Sequence, residues 1–314
     1  MTILDPVATA SGRVPVIALF GKGLVGTGIV DGCCRLIPFR IRQFPFSWGD
    51  PSIHGAQKAS VVEEISRLLS AGRSLAVVWS AGRGGFSASD SELTSERNAF
   101  DAVLELARRF VDDGTAPSCA FHFVSSAGGL FEGQRLVDAN SVPRPLRPYG
   151  RMKQNQEEAL SESRLPARIY RPSSVYGPIH PVRRMGIIPV LILNGLRRSV
   201  TSIFGHLTTL RDYVATEHVG AFIASRIVAE TTPRIPTVDF LVSALPASIL
   251  EIRNVVEQEI RHRVYLAMHG SPDNTGDITF SPELVPANWK RETFEAAVKR
   301  VHLLWQSQSP GATT

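Results

Sequence analysis

Short apolar runs alternate with helical stretches over the first half of the chain. Runs of strand length occur at Val16–Phe20, 39–44, Leu75–Trp79, 120–124 and 167–171. The segments between them carry apolar side chains at helical spacing, and the predicted helices span 24–34, 61–69, 92–110 and 149–160. Such alternation is typical of a parallel sheet covered by helices on both faces. We therefore predict an α/β fold with a Rossmann-type, doubly wound parallel sheet.

The pattern changes after Pro178, where prolines become frequent and strands become short. Further helices are predicted at 217–229, 249–259 and 292–305. We expect residues 1–178 to form the main domain and residues 179–314 a smaller C-terminal α/β lobe. Segments of the two are expected to interleave, because lobes of this kind often exchange segments with the main sheet.

The composition of the 314 residues is that of a globular protein, with 43% hydrophobic and 20% charged residues. No apolar run reaches the roughly 18 residues of a membrane span, and no signal peptide is predicted. The cysteines Cys33, Cys34 and Cys119 show neither metal-ligand spacing nor a disulfide framework, so we expect no metal and a cytoplasmic location. The net charge is +5 without a run of basic residues. Nucleic-acid binding would rest on charge alone and is not predicted.

A glycine-rich turn follows the first predicted strand and precedes the first predicted helix. It consists of Gly21, Lys22, Gly23, Leu24, Val25 and Gly26. This spacing lets the backbone turn tightly and approach a pyrophosphate, which then lies on the helix N-terminus. We predict that these six residues bind a dinucleotide, because the turn has the strand and helix that the motif requires.

The second predicted strand bears on the choice between NAD and NADP. An acid that binds the adenosine ribose is expected about 20 residues after the glycine turn, but this strand offers Arg40 and Arg42 instead. Arg42, together with Lys22, is predicted to face a 2′-phosphate, which favours NADP slightly over NAD. The alternative, in which both arginines lie on an exposed strand face, stays open.

Tyr149 and Lys153 lie four residues apart at the start of a predicted helix, so both side chains share one face. An ammonium group near a tyrosine favours its phenolate form, and the phenolate can accept a proton. Upstream, the strand at 120–124 ends at Ser125 and Ser126, where parallel sheets place their active sites.

With these motifs the chain resembles the extended short-chain dehydrogenases/reductases, and within them the nucleotide-sugar epimerase/dehydratase group. The resemblance covers nearly the whole length and rests on six segments in the chain order of that group. They are SERNAF, VSSAGGLFEG, VPRPLRPYGRMKQNQEEAL, RPSSVYGP, LRDYVATEHVGAF and DITFSPELVPANW.

The resemblance implies a role for each matching residue. Tyr149 would be the acid/base, Ser126 would orient the reacting sugar oxygen, and Lys153 would hold the nicotinamide ribose. Arg211 would bind the substrate diphosphate. The remaining implied residues are Ser125 and Ser174 near the substrate, Ala81 near the cofactor, and Asn98 in a structural role. The domain 1–178 would then bind the dinucleotide, and the lobe 179–314 the nucleotide-linked sugar.

Two further expectations follow from the resemblance. Dehydratases of the group carry an Asp-Glu pair after the active-site hydroxyl residue, whereas Ser126 is followed by Ala127 and Gly128. We therefore predict a nucleotide-sugar epimerase that works through a transient keto intermediate. The alternatives are an NADPH-dependent ketoreductase and a catalytically silent NAD(P)-binding regulatory protein. The helices at 92–110 and 149–160 are expected to carry a second apolar stripe and to pair across a two-fold axis into a homodimer.

Overall fold

The computed structural model describes residues 1–7, 14–46, 51–70, 72–82, 89–180, 184–229, 235–269 and 276–308, with only the backbone at 51–56. Its strands are β1 Thr2–Pro6, β2 Val16–Phe20, β3 Phe39–Gln43, β4 Leu75–Trp79, β5 Cys119–Val124, β6 Ala167–Pro172, β7 Ser174–Tyr176, β8 Val200–Phe204, β9 Leu210–Arg211, β10 Tyr213–Ala215, β11 Thr237–Leu241, β12 Ala247–Ser248 and β13 Tyr265–His269. Its helices are α1 Leu24–Leu36, α2 Pro51–Leu69, α3 Asp90–Asp112, α4 Ala127–Leu130, α5 Pro148–Glu162, α6 Ile187–Leu196, α7 Thr216–Val228, α8 Ile249–Ile260 and α9 Phe294–Gln308. The predicted elements are present, and α2 begins ten residues earlier than its periodicity suggested.

Among the described residues, seven strands form one sheet in the order β11-β6-β5-β4-β2-β1-β3. Strands β2, β4, β5 and β6 run parallel to one another, which confirms the Rossmann-type α/β prediction. The strand order extends in opposite directions from β2, and the carboxyl ends of β2, β4 and β5 meet at one edge. Ligands of open α/β sheets bind at such an edge.

Strand β1 is one of the elements that the sequence prediction missed. It lies between β2 and β3 and runs antiparallel to both, with Thr2 opposite Leu19 on one side and Gln43 on the other. The whole strand is buried although Asp5 is charged, because Arg73 donates a 2.7 Å hydrogen bond to the Asp5 carboxylate. A short segment that contains a buried carboxylate and a proline lacks the apolar run by which the strands of the first half were predicted.

The core on one face of the sheet is built from α2, α3 and aromatic strand residues. Phe100 of α3 packs edge-on against Trp79 of β4 and Phe121 of β5, at ring-centroid distances of 5.5 and 5.8 Å. Large apolar side chains with interlocked rings fix the position of α3 over the sheet. None of the helices in the described part of the chain has both the length and the apolar character needed to cross a bilayer.

The chain divides into two compact units that exchange segments. The first comprises 1–130, 145–171 and 219–239, and the second comprises 131–144, 172–218 and 240–314. The second unit has its own core, in which α6, α8 and α9 pack together through Ile192, Val256 and Val298. Strands β8 and β13 pair in parallel within it.

The outer surfaces of α3 and α5 are polar. Of the large apolar residues on these two helices only Val111 is strongly exposed, at 41%. The exposed residues of α5 include Arg151, Asn155 and Glu158. The expectation of a second apolar stripe was therefore wrong, because the additional apolar residues face the core. The homodimer stays a prediction without that support.

Candidate active site

The glycine turn after β2 is packed so closely that two of its positions accept no side chain. Gly21 has a φ of +96°, and an added Cβ would lie 2.2 Å from the backbone nitrogen of Ala81. An added Cβ at Gly26 would lie 2.0 Å from the carbonyl oxygen of Gly21. The turn therefore depends on glycine at both positions and rests against the residues that follow β4.

Gly23 differs from these two glycines, since an added Cβ there would meet nothing within 4 Å. It is the N-cap of α1, which begins without a side-chain cap and without an acidic residue in its first turn. The start of a helix carries partial positive charge and backbone N–H groups that suit an anion. Open space next to this helix start fits the pyrophosphate of a dinucleotide.

Ser80, a residue that the sequence analysis did not select, holds the glycine turn in place. Its hydroxyl donates a 2.7 Å hydrogen bond to the carbonyl of Gly21, and its backbone N–H donates to the carbonyl of Phe20 at 2.9 Å. Ala81, predicted to lie near the cofactor, packs against Gly21 as described above. The position of Ser80 directly after the neighbouring strand β4 was the signal that could have identified it.

The structure argues against a 2′-phosphate contact for Arg42. Its guanidinium donates a 2.6 Å hydrogen bond to Glu64 of α2, which already supplies a negative partner. Its strand, β3, is separated from β2 by β1. Because neighbouring strands lie about 4.8 Å apart, β3 stands roughly 9.6 Å from the strand that carries the glycine turn. Lys22 is exposed in the turn itself.

Tyr149 and Lys153 lie together on α5, as predicted. Pro148 occupies the first turn of the helix, where its missing N–H costs nothing. The Nζ atom of Lys153 lies 5.8 Å from the centre of the Tyr149 ring and 5.3 Å from the centre of the Phe123 ring. The spacing of four residues therefore brings the ammonium group close to the phenol.

The ammonium group of Lys153 is buried and held by two acceptors. It donates to Glu96 of α3 at 3.0 Å and to Gln156 at 3.2 Å. Burial acts to lower the pKa of Lys153, but the Glu96 carboxylate and Tyr149 act in the opposite direction, and the net pKa is raised. The lysine is therefore charged at neutral pH.

The residue of α3 that contacts Lys153 is Glu96, which the sequence analysis did not select. Asn98 is exposed on the outer surface of α3, and its structural role stays a prediction. Glu96, two residues earlier, points inward instead. The helical spacing of the buried residues Leu93, Glu96, Phe100 and Val103 could have shown which residue faces α5.

The two candidate serines lie in different surroundings. Ser126 is half-buried, and its Oγ accepts a 3.0 Å hydrogen bond from the N–H of Gly129 at the start of α4. Its own hydroxyl hydrogen is not used by that bond. Ser125 is buried, its N–H donates to the carbonyl of Tyr170, and its Oγ has no hydrogen-bond partner among the described residues. Ser126 is the more accessible of the two hydroxyls.

Helix α4 connects Ser126 with Tyr149. An added Cβ at Gly129 would lie 2.9 Å from Cε1 of the Tyr149 ring. The ring therefore packs on the short helix that Ser126 starts. The structure thus brings Ser126, Tyr149 and Lys153 together within the first unit.

The other two predicted substrate residues belong to the second unit. Ser174 begins β7, and its N–H donates to the carbonyl of Asp212 at 3.1 Å. Arg211 lies in β9, and its Nη1 donates to the carbonyls of Leu210 and Gly276 at 2.9 and 2.6 Å. These bonds fix the guanidinium, which has further N–H donors. Contacts of either residue with substrate stay predictions.

Comparison with known proteins identifies relatives of this architecture. The model of the NAD dependent epimerase/dehydratase family matches residues 60–230. A search of curated protein sequences found no significant match.

Solved structures with a similar fold include two sugar-nucleotide epimerases. The UDP-glucose 4-epimerase of Thermus thermophilus, in complex with NAD, superposes with a TM-score of 0.69 at 18% identity, covering 91% of this chain and 97% of that one. The UDP-glucose 4-epimerase of Thermotoga maritima, with UDP-glucose, has a TM-score of 0.68 at 17% identity, covering 93% and 99%. The dTDP-glucose 4,6-dehydratase of Bacillus anthracis, in complex with NAD, has a TM-score of 0.67 at 15% identity, covering 94% and 97%.

Proposed function

The chain belongs to the NAD dependent epimerase/dehydratase family, and we propose that it is a nicotinamide-dependent epimerase of a nucleotide-linked sugar. The observation that carries this proposal is the pairing of Tyr149 with the buried, charged Lys153, 5.8 Å from ring centre to Nζ. The pair lies in the same unit as a glycine turn that has room for a pyrophosphate. An acid/base group together with a dinucleotide site suits reversible oxidation of an alcohol.

The residues that would hold the cofactor are those of the glycine turn and Lys153. The start of α1 would bind the pyrophosphate, with Gly23 leaving space for it. Among the described residues Lys153 donates two hydrogen bonds through its three N–H groups, so one N–H would be available to a ribose hydroxyl. When bound, the nicotinamide would accept hydride from a hydroxyl-bearing sugar carbon and return it.

Tyr149 would move the proton that accompanies each hydride transfer. Its phenolate oxygen would take the proton of the sugar hydroxyl as the carbonyl forms and return it as the alcohol is restored. Ser126 would donate its remaining hydroxyl hydrogen to the same sugar oxygen. The charged Lys153 would stabilise the phenolate, because an opposite charge nearby favours the ionised form. The keto sugar would have to turn over before the hydride returns on its other face.

Epimerisation is favoured over dehydration by the residues of α4. Elimination of water needs an acid near the leaving hydroxyl, and α4 consists of Ala127, Gly128, Gly129 and Leu130. No carboxylate therefore follows Ser126 on this helix.

We propose NAD rather than NADP as the cofactor, which reverses the preference drawn from the sequence. That preference rested on Arg42, whose guanidinium is bound to Glu64. With Arg42 engaged in this way, a 2′-phosphate would gain little from it. The substrate would be a nucleoside diphosphate sugar, with Arg211 on the diphosphate and Ser125 or Ser174 near the sugar.

Mass spectrometry of the nucleotides released by denaturing the purified protein tests the proposal. Retained NAD is the expected result, because an epimerase returns the hydride to its own substrate and has no need to exchange the cofactor. An empty site that binds NADPH selectively, with NADPH consumed by a keto sugar, would indicate a ketoreductase instead. A protein that neither retains nor binds any nicotinamide dinucleotide would overturn the proposal.

A further inference from the structure

We propose that Glu96 is a positioning residue that sets the proton affinity of Tyr149 through Lys153. The inference rests on the proposed function, because it assigns Tyr149 and Lys153 their roles in proton transfer. It concerns a carboxylate that the sequence motifs did not select.

The geometry is that of a buried ion pair. The Lys153 and Glu96 side chains are 4% and 6% exposed, and Nζ and Oε1 are 3.0 Å apart. The carboxylate also lies against the loop after β4, since a Cβ added at Gly82 would come 2.8 Å from Oε1. Glu96 is therefore fixed from two sides, at the lysine and at the loop.

A buried carboxylate at this distance has two effects on the lysine. It keeps the ammonium charged in spite of burial, and it fixes the direction of one N–H. It also offsets part of the positive charge that Tyr149 experiences. Lys153 thus acts on Tyr149 as a partly neutralised cation, which stabilises a phenolate less than an uncompensated ammonium would.

Few other titratable groups among the described residues lie near the ammonium. Tyr149 and Glu157 lie on its own helix and act on its pKa in the same direction as Glu96. Glu157 is itself held by Arg171 of β6 through hydrogen bonds of 3.0 and 2.6 Å. Strand β5 presents Phe123, and α4 carries no ionisable side chain. Glu96 is the carboxylate in direct contact with Nζ.

Glu96→Gln tests the inference, because glutamine keeps an acceptor for Lys153 and removes the charge. We expect the phenolate absorbance of Tyr149 at 295 nm to appear at lower pH than in the wild type, measured against the same variant with Tyr149→Phe. Burial raises the pKa values of Tyr170, Tyr176 and Tyr213, so these residues do not obscure the difference. Without the Glu96 charge the ammonium also loses its proton at lower pH. Both limbs of a pH–rate profile should therefore move to lower pH together.

Two further variants complete the test. Glu96→Asp keeps the charge but moves it away from the Lys153 ammonium, so a smaller shift in the same direction is expected. This variant carries the test alone if Glu96→Gln does not fold. Asp5→Asn is the matched control, because it removes the charge of another buried carboxylate, which pairs with the partly buried Arg73 at 2.7 Å at the opposite edge of the sheet. It should leave the Tyr149 titration unchanged.

The outcomes separate this inference from the proposed function. A Tyr149 titration that does not move in folded Glu96 variants, or moves to higher pH, would overturn the inference alone. Because the titration needs no substrate, it is independent of the reaction. Full epimerase activity in Tyr149→Phe would instead overturn the proposed function.

Discussion

The ring of Tyr149 lies directly against Gly129, whose Cβ, if it had one, would come within 2.9 Å of the ring carbon Cε1. Backbone packing reinforces this contact, since a Cβ at Gly150 would lie 2.1 Å from the Gly129 carbonyl oxygen. Helix α4 therefore fixes the Tyr149 side chain from the side on which Ser126 lies. Residue 129 has no room for a side chain, because α4 and α5 approach each other closely there.

Gly129→Ala should displace the Tyr149 ring and lower kcat by about 10²-fold, the effect of roughly 1 Å of misplacement at a reacting group. Gly128→Ala is the matched control. It makes the same change in the same helix, but its Cβ meets nothing within 4 Å, so kcat should stay close to that of the wild type. Equal losses in the two variants would show that the Tyr149 contact is unimportant.

The glycine turn allows a second matched pair. Gly21→Ala places a side chain at a φ of +96° and 2.2 Å from Ala81, so it should lower the free energy of unfolding by more than about 1 kcal/mol. Gly23→Ala meets nothing within 4 Å and should leave stability unchanged. It should nevertheless weaken NAD binding by about tenfold, which corresponds to ~1.4 kcal/mol, because its methyl group enters the space proposed for the pyrophosphate. Thermal unfolding and calorimetry check both, and unchanged NAD affinity in Gly23→Ala would place the pyrophosphate elsewhere.

In the first half of the chain, the elements with strong apolar patterns could be predicted from sequence, whereas β1, which depends on pairing, could not. Strand β2 and the glycine turn were found because their motif is local. Strand β1 was missed because its burial depends on two neighbouring strands and on the Asp5–Arg73 ion pair. Because β1 lies between β2 and β3, Arg42 is one strand farther from the glycine turn than the strand pattern alone suggested.

In the candidate site, too, residues with a local sequence pattern could be predicted, and residues that depend on contacts distant in sequence could not. Tyr149, Lys153 and Ser126 could be predicted because their spacing is short and fixed by one helix and one strand end. Glu96 was not selected, because its contact with Lys153 depends on which side of α3 faces α5, and no motif match reports that. The support that Ser80 gives to the glycine turn joins two strands far apart in sequence, so the position of Ser80 directly after a predicted strand was its only local signal.

Cofactor preference provides a third prediction. The wild type should bind NAD at least as tightly as NADP, and Arg42→Ala should leave both affinities within about threefold, because the guanidinium is held by Glu64. A lost phosphate contact would be larger, since charge-assisted bidentate bonds are strong. Calorimetry with both cofactors checks this, and selective loss of NADP affinity in Arg42→Ala would restore the 2′-phosphate assignment.

A fourth prediction concerns Arg211. Arg211→Ala should weaken binding of a uridine diphosphate sugar by about tenfold or more and leave NAD affinity unchanged. Arg211→Lys keeps the charge but not the planar fork, so it should restore only part of the affinity. Since Arg211 also bonds the carbonyls of Leu210 and Gly276, unfolding temperatures should be measured alongside. Reduced NAD affinity with normal sugar binding would contradict the assignment.

The most direct measurement of the central claim is proton NMR of nucleoside diphosphate hexoses incubated with the purified protein in D₂O. The account predicts that Tyr149 transfers the proton while the hydride leaves one sugar carbon and returns to the same carbon. In a panel of uridine diphosphate and thymidine diphosphate hexoses, one hexose should therefore be inverted at a single carbon. The product should contain no solvent deuterium at that carbon. Tyr149→Phe, which keeps the ring but removes the proton-transfer group, should lower the rate about 10²-fold or more. Deuterium at the inverted carbon, or inversion at the wild-type rate by a folded Tyr149→Phe variant, would contradict the account.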